Sequence, residues 1–369
     1  MSRPRVLVAG LGDTGLLTAI HLSRHADVVG VSAKPAHVSG QELGVRLTRP
    51  DDWSRDYRIA YDRYLRLDDV RVVHGSLTGV DLDARAVRVL DADGIEQTEP
   101  YDVLVIATGV ANGFWRRPDL ASSEQVADSL RAEHDRIAAA GSVIVIGGGA
   151  AAVSSAVNIA TTWPDKQVDL YFPGERALPR HHPRVWPTNR AHLEDCGVGL
   201  HPGHRAVVPD GFDCDVITTG SVAFSTGQEP ATADAVLWTI GRVRPNTGWL
   251  PAEILTDDGF VRVEPDLSVP GYPGVFAIGD VAATDPLRTS ARNRADKLLA
   301  RNVRAHLAGQ PLKTYRPPGA RWGSVVGPQR NGLTVFTATG RTVRFPAWST
   351  RVVLMDWITR RGIYKGVRS

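Results

Sequence analysis

Cysteine is scarce in this sequence, with only Cys196 and Cys214 among 369 residues. Their spacing excludes a C-x-x-C pair, so no redox disulfide, disulfide framework or cysteine zinc site is expected. We interpret both as small buried side chains in a protein of a reducing compartment.

Long hydrophobic runs are also missing. No stretch approaches the roughly 20 apolar residues that a bilayer-spanning helix needs. The chain enters a predicted strand at Arg5, which leaves no room for a signal peptide. We therefore expect a cytoplasmic protein, at most peripheral at the inner face of the membrane.

Neither sign of charge is in large excess, since 43 Lys and Arg against 40 Asp and Glu give a net charge of +3. This small and dispersed charge argues against a nucleic-acid partner. No metal site is predicted either, because no acid completes a ligand set around the histidines of the middle region. These are His181, His182, His192, His201 and His204.

Glycine, by contrast, is abundant, and two glycine-rich turns each follow an apolar run. Gly10-Leu-Gly12-Asp-Thr-Gly15 follows Arg5–Ala9, and Gly147-Gly-Gly149-Ala-Ala-Ala152 follows Ser142–Ile146. Each turn opens onto a helix-like stretch, which lets the backbone approach a pyrophosphate at a helix N-terminus. One such turn is weak evidence, whereas two in this context predict two dinucleotides: a tightly held flavin and a visiting nicotinamide coenzyme.

The wider pattern predicts an α/β fold with two Rossmann-like, three-layer nucleotide-binding domains, one inserted into the other. The first domain is predicted to comprise residues 1–113 and 242–314, and the second residues 114–241. A short C-terminal α+β segment, 315–369, completes the chain. We also expect a polar loop from Lys34 to about Tyr57, a helix from about Arg288 to Leu307, and tail strands at Gly332–Thr339 and Thr342–Phe345.

Three shorter motifs accompany the glycine turns: Ala107-Thr-Gly109, Thr239-Ile-Gly-Arg242 and Ala277-Ile-Gly-Asp280. With this order and spacing the chain resembles the flavoproteins with two dinucleotide-binding domains, the glutathione-reductase-like pyridine nucleotide oxidoreductases. The absence of C-x-x-C separates it from the disulfide reductases of that family. Within the family it most resembles the apoptosis-inducing-factor-like ferroptosis suppressor and type II NADH dehydrogenase group, with supporting segments at Trp163–Val168 and Pro318–Ala320.

The resemblance implies FAD as cofactor and NADH or NADPH as co-substrate. The aspartate matching Asp280 would hydrogen-bond the flavin ribityl chain, and the following helix would direct its N-terminus towards the pyrimidine end of the ring. The residues expected at FAD are Gly10, Gly12, Asp13, Thr14, Gly15, Ser32, Lys34, Ala107, Thr108, Gly109, Gly279 and Asp280. Those expected at the nicotinamide coenzyme are Gly147, Gly149, Ala150, Ala151, Ala152, Arg176 and Gly241.

Three positions depart from the family pattern. Ser32 and Phe172 end strands at which relatives carry a ribose-binding acid, and Ser154 stands where relatives carry a glutamate near the contact of nicotinamide and flavin. Without the ribose acid, and with Arg176 nearby, NADPH fits at least as well as NADH. Asp13 is also unusual, because a carboxylate beside a pyrophosphate is repelled unless it is paired or turned away.

The sequence therefore predicts an FAD-dependent NAD(P)H oxidoreductase that delivers electrons to a quinone-like small molecule. The catalytic centre is the flavin, with Arg288, Arg292 and Ser154 as candidate residues around it, although a solvated helix face explains the arginines equally well. Two alternatives stay open: a flavoenzyme of secondary metabolism with its own organic substrate, and a non-catalytic nucleotide-binding redox sensor.

The tail mixes aromatic and basic residues, as in Trp348, Trp357, Arg351 and Arg361. Such a segment, residues 345–369, is typical of a helix that lies on an anionic membrane surface. A helix that packs on the flavin domain or forms a homodimer explains the pattern too.

Overall fold

The computed structural model describes residues 3–288 and 293–368. The strands of the first part of the chain are β1 (Arg5–Ala9), β2 (Asp27–Ser32), β3 (Ala36–Val38), β4 (Arg58–Ala60), β5 (Val70–Asp81), β6 (Ala86–Asp91), β7 (Glu96–Pro100), β8 (Val103–Ile106) and β9 (Val110–Asn112). The helices are α1 (Asp13–Leu22), α2 (Leu43–Thr48) and α3 (Pro50–Tyr57), with 3₁₀ turns at Tyr61–Arg63 and Leu65–Leu67. Strands β8, β1, β2 and β5 are parallel neighbours, and β1 and β8 are almost wholly buried apolar runs, as expected for strands covered on both faces.

The prediction of a polar loop from Lys34 to about Tyr57 is wrong, because this stretch contains β3, α2 and α3. Helix α2 is only six residues long but is buried throughout, and Pro50 begins α3, where the missing amide hydrogen costs nothing. Trp53 of α3 is fully buried. The hydrophobic period of such short helices is too brief to stand out among the surrounding Asp and Arg residues.

The second sheet is built from residues of the middle of the chain. Its strands are β10 (Ser142–Ile146), β11 (Gln167–Phe172), β12 (Gly199–Pro202), β13 (Thr218–Val222) and β14 (Ala231–Trp238), in the spatial order β12-β11-β10-β14-β13. Its helices are α4 (Ser123–Ala139), α5 (Ala150–Thr162) and α6 (Val185–Asp195). A capping box between Ser122 and Gln125 fixes the start of α4.

The chain then returns to the first sheet. Strand β15 (Val243–Pro245) pairs with β9, and β16 (Val275–Ala277) pairs in parallel with β8. The larger sheet therefore has seven strands in the order β16-β8-β1-β2-β5-β6-β7. Two 3₁₀ turns flank β16, at Ala252–Ile254 and Gly279–Val281, and helix α7 (Ala295–Leu307) follows them.

Helix α7 begins later than the expected start near Arg288. Arg288 and Arg294 both have left-handed backbone conformations, with φ of +53° and +58°, which an α-helix cannot contain. Arg294 is instead the residue before the first turn of α7.

The tail forms a small sheet and a helix. Its antiparallel strands are β17 (Gly323–Ser324), β18 (Gly332–Phe336) and β19 (Thr342–Pro346). The alternating pattern predicts the latter two as strands, although β18 ends at Phe336 rather than Thr339. A short helix α8 (Ala347–Ser349) continues as a π-helix over Thr350–Ile363. The last residues return to the first domain, where Val367 bridges Tyr64 and Arg368 pairs with Asp68 at 2.6 Å.

Candidate functional site: two glycine turns on one cavity

The two glycine turns have the same local construction. The backbone N–H of Gly10 donates to the carbonyl of Val31, and that of Gly147 donates to Tyr171, both at 2.9 Å. Gly10 and Gly147 have φ of +100° and +134°, and a Cβ on either would lie 2.5 Å from a carbonyl oxygen of the neighbouring strand end. Only glycine fits these positions without displacing the backbone.

The middle glycine of each turn faces open space. A Cβ on Gly12 or Gly149 would meet no atom within 4 Å, so the backbone there is accessible to a ligand. Helices α1 and α5 begin immediately after the turns and direct their free amide groups towards the same space, as a pyrophosphate requires. The residues present therefore fit two dinucleotides.

One cavity of about 2000 Å³ connects the two turns. It is lined by the predicted FAD residues Gly10, Gly12, Asp13, Thr14, Ser32, Lys34, Ala107, Thr108, Gly109 and Asp280, and by Gly147, Gly149, Ala150, Ala151, Arg176 and Gly241 from the coenzyme set. Its volume exceeds the 300–1,000 Å³ or so of a typical single-ligand pocket. The cavity thus brings both sets of predicted residues together around one space.

Three predicted residues lie behind this lining. Gly15 packs against the first turn, where a Cβ would lie 1.9 Å from the Gly10 carbonyl oxygen, and Ala152 is fully buried at the equivalent place in α5. Gly279 packs on Thr14, since its Cβ would lie 2.5 Å from the Thr14 hydroxyl oxygen. These residues shape the turns rather than touch the cavity.

Asp13 is paired, which answers the repulsion expected of a carboxylate in the first turn. His37 Nε2 lies 3.1 Å from Asp13 Oδ1, and His37 Nδ1 lies 2.9 Å from the Tyr64 hydroxyl. Burial by itself would raise the pKa of Asp13, but the His37 hydrogen bond, with the charge of Arg116, lowers that pKa to about 2. Sequence reasoning did not find His37, because no local motif links it to Asp13.

Asp280 lines the cavity, and its carboxylate forms an ion pair with Arg116. Arg116 Nη1 lies 2.6 Å from Asp280 Oδ2, and Arg288 Nη1 donates to the Asp280 backbone carbonyl at 2.6 Å. Burial opposes the charge of Arg116, but attraction by Asp280 and Asp13 raises the pKa of its guanidinium. Arg116 was missed by the sequence reading, although the Arg116-Arg117 pair that follows β9 offered a signal.

Ser32 and Lys34 both line the cavity but have protein partners. Ser32 Oγ lies 2.9 Å from the Tyr61 hydroxyl, which in turn donates to the Leu11 carbonyl at 3.1 Å. The Lys34 ammonium donates to the Asp119 backbone carbonyl, and burial lowers the pKa of Lys34. The Ser32 hydroxyl oxygen is therefore a hydrogen-bond acceptor at the position where relatives carry a ribose-binding acid.

Ser154 lies at the edge of the cavity and joins the two nucleotide units. The N–H of Gly44 in α2 donates to Ser154 Oγ at 3.3 Å, and a Cβ on Gly44 would lie 2.1 Å from the Ser154 carbonyl oxygen. Its hydroxyl is thus used in helix packing. Of the other catalytic candidates, Arg288 lines the cavity and Arg292 lies outside the described residues.

In the parts of the chain that the structure describes, no group of three or more His, Cys, Asp or Glu side chains is placed to hold a metal ion. Cys196 and Cys214 are both free thiols, the first half-buried and the second buried.

This fold and these paired turns define an FAD- and nicotinamide-binding type of oxidoreductase. The chain belongs to the pyridine nucleotide-disulphide oxidoreductase family, whose model matches residues 4–297. The family and the fold class predicted from the sequence are confirmed, and FAD and NAD(P)H are the cofactors that this family and its structural neighbours bind.

Individual relatives point the same way. The chain is 28% identical to ferroptosis suppressor protein 1 of Xenopus tropicalis, over 85% of this chain and 83% of that protein. It is 27% identical to the type II NADH:quinone oxidoreductase Ndh of Mycobacterium tuberculosis, over 83% and 73%. The solved sulfide:quinone oxidoreductase of Aquifex aeolicus shares the fold, with a TM-score of 0.69 at 15% identity over 97% and 92%. The chain is also 27% identical to the oxidoreductase ptaL of Pestalotiopsis fici, and the match spans only 66% of the length of that protein.

Proposed function

We propose that this protein is an FAD-dependent NAD(P)H oxidoreductase that passes electrons to a quinone-like small molecule. The observation that carries the proposal is the single cavity onto which both glycine turns open. Two separate nucleotide sites would need a relay between them, whereas one cavity lets two reactants meet directly.

We place FAD on the unit formed by residues 1–113 and 242–314, and the coenzyme on residues 114–241. The turn at Gly10 and Gly12 would hold the FAD pyrophosphate, with Arg116 balancing its charge. Asp280, positioned by Arg116, is an acceptor for a ribityl hydroxyl. The matching turn at Gly147 and Gly149 would hold the pyrophosphate of NAD(P)H.

Bound FAD supplies a centre that accepts a hydride from the nicotinamide C4 and later gives up two electrons. The chain's own residues position the reactants and set the local charge. We assign no step to Ser154, whose hydroxyl oxygen accepts a hydrogen bond from the Gly44 N–H. Arg288 places a positive charge on the cavity wall, where it favours an acceptor that gains negative charge on reduction, as a quinone does.

The quinone-like acceptor is supported by the name of one relative, the type II NADH:quinone oxidoreductase of Mycobacterium tuberculosis, and by one feature of the tail. Trp348 and Trp357 are 71% and 63% exposed, and Arg351 and Arg361 are exposed beside them. Aromatic and basic side chains together suit the interface of an anionic membrane, in which quinones dissolve. No helix in the described residues is long and apolar enough to cross a membrane, so we propose a peripheral contact.

Anaerobic stopped-flow absorbance tests the main proposal. Mixing the FAD-loaded protein with NADH or NADPH should bleach the flavin band, and a soluble quinone should then restore it. If neither coenzyme bleaches the flavin within minutes, the proposal fails and the redox-sensor alternative gains support. Bleaching without reoxidation by quinones would favour a different organic acceptor.

Flotation with liposomes tests the tail. The full chain should float with anionic vesicles and less with zwitterionic ones, while a truncation after Phe345 should stay behind. Equal behaviour of the two proteins would remove the membrane contact from the proposal.

A further inference from the structure

The end of β11 decides how the ribose of a nicotinamide coenzyme is bound. Because Gly147 bonds to Tyr171 as Gly10 bonds to Val31, Phe172 holds the place that Ser32 holds in the first unit. Phe172 is 1% exposed and packs edge-on against Trp186 at 5.7 Å. No carboxylate stands where NAD-binding folds grip the ribose hydroxyls.

Neighbouring acids do not replace it. Asp169 of β11 lies 2.7 Å from His201, and Glu175 is exposed and outside the cavity lining. The other acids that line the cavity come from segments other than β11 and the loop after it: Asp13, Glu42, Asp119, Asp215 and Asp280. A free ribose diol would therefore find little to bind it here.

Positive side chains gather at this point instead. The loop after β12 is tied to the loop after β11, since His204 N–H donates to the Phe172 carbonyl at 3.0 Å and Gly203 N–H to Gly174 at 3.2 Å. Arg176 and Arg205 come from these two loops, and with His204 they all line the cavity.

Neither arginine is held by a strong partner. Within residues 3–288 and 293–368, the one hydrogen bond of the Arg176 guanidinium is a long contact of 3.4 Å to the Leu178 carbonyl. Across the described residues, no hydrogen bond or ion pair engages the Arg205 side chain. The Leu178 N–H donates to the Gly148 carbonyl at 2.6 Å, which keeps the Arg176 loop against the second glycine turn.

We infer that the coenzyme of this protein is NADPH, and that Arg176 and Arg205 bind its 2′-phosphate with His204 beside them. The inference rests on the proposed function, since it assigns the coenzyme of that same site. A 2′-phosphate carries close to two negative charges, and guanidinium groups bind such oxygens in paired, charge-assisted hydrogen bonds. NADH has only a neutral diol at this position.

Calorimetric titration of the FAD-loaded protein with adenosine 2′,5′-bisphosphate and with 5′-AMP tests the subsite without turnover. The bisphosphate should bind at least roughly tenfold more tightly, because the two ligands differ only in the 2′-phosphate. Arg205→Ser and Arg176→Ser should each weaken the bisphosphate roughly 10- to 100-fold and leave 5′-AMP nearly unchanged. Arg190→Ser is the matched control, an exposed arginine of the same unit that pairs with Glu194 away from the cavity.

The possible results distinguish a failure of the NADPH assignment from a failure of the proposed oxidoreductase function. Equal binding of the two ligands overturns the inference, even if NADH and NADPH both bleach the flavin. A preference for the bisphosphate that both arginine variants retain overturns the assignment to these residues. If the preference is found but neither coenzyme bleaches the flavin, the subsite stands and the proposed function fails.

Discussion

The Asp13–His37 pair under the first glycine turn offers a prediction whose size can be worked out. His37 is buried among Tyr64 and Tyr364, with ring centroids 6.2 and 5.9 Å away, so Phe can replace it with little change of shape. The pKa of Asp13 falls from 3.8 to about 2, and one pKa unit corresponds to about 1.4 kcal/mol. Ionised Asp13 therefore stabilises the fold by about 2 kcal/mol at pH 7.

Three variants measure this contribution: Asp13→Asn, His37→Phe and the double variant. Asp13→Asn should lower the free energy of unfolding by about 2 kcal/mol. His37→Phe should cost more, because it leaves both the Asp13 carboxylate and the Tyr64 hydroxyl without their partner, at roughly 1–3 kcal/mol each. The double variant should be less destabilised than the sum of the single variants, by up to about 2 kcal/mol. Urea unfolding of the FAD-saturated proteins, followed by tryptophan fluorescence, gives the free energy of unfolding of the wild type and of the three variants.

The pH dependence gives a second check with a fixed sign. Because the folded pKa of Asp13 lies below the unfolded one, its stabilisation is complete above about pH 4 and is lost as the pH falls through 2. Roughly half should remain at pH 3. If Asp13→Asn is as stable as the wild type at pH 7, or if its deficit is the same at pH 3, the carboxylate is not held as described.

Three further predictions concern the coenzyme turn, a buried ion pair and the tail. Gly149→Val should raise the KM for the coenzyme roughly 100-fold with full FAD content, since a side chain there enters open space; an unchanged KM would contradict this. Arg46→Met should lower the free energy of unfolding in urea by about 3–5 kcal/mol, because it leaves buried Glu133, 3.0 Å away, without its partner. The double variant Arg46→Met, Glu133→Leu should recover most of this loss, and an equal loss in both variants would refute the pairing. Deleting residues 364–369 should lower the Tm by at least roughly 4 °C, because Tyr364 covers buried Tyr64 at 5.2 Å; an unchanged Tm would show that this contact contributes nothing.

Much of the fold follows from local signals that need no tertiary context. Buried apolar runs before each glycine turn, as in Arg5–Ala9 and Ser142–Ile146, predict parallel strands, and the structure has both with the predicted bounds. In contrast, α2 and α3 were missed, because they owe their stability to packing on α5 and α4 rather than to a long amphipathic period.

The sequence by itself determined the family, the two dinucleotide turns and the pairing of a flavin with a nicotinamide coenzyme. These depend on backbone conformations that only short motifs of glycine can adopt. Only the tertiary structure decided what surrounds the turns: His37 on Asp13, Arg116 on Asp280, and Arg205 with Arg176 in the lining of one cavity. Such partners come from distant segments, and the charge that each places beside a cofactor depends on distances that no linear spacing contains.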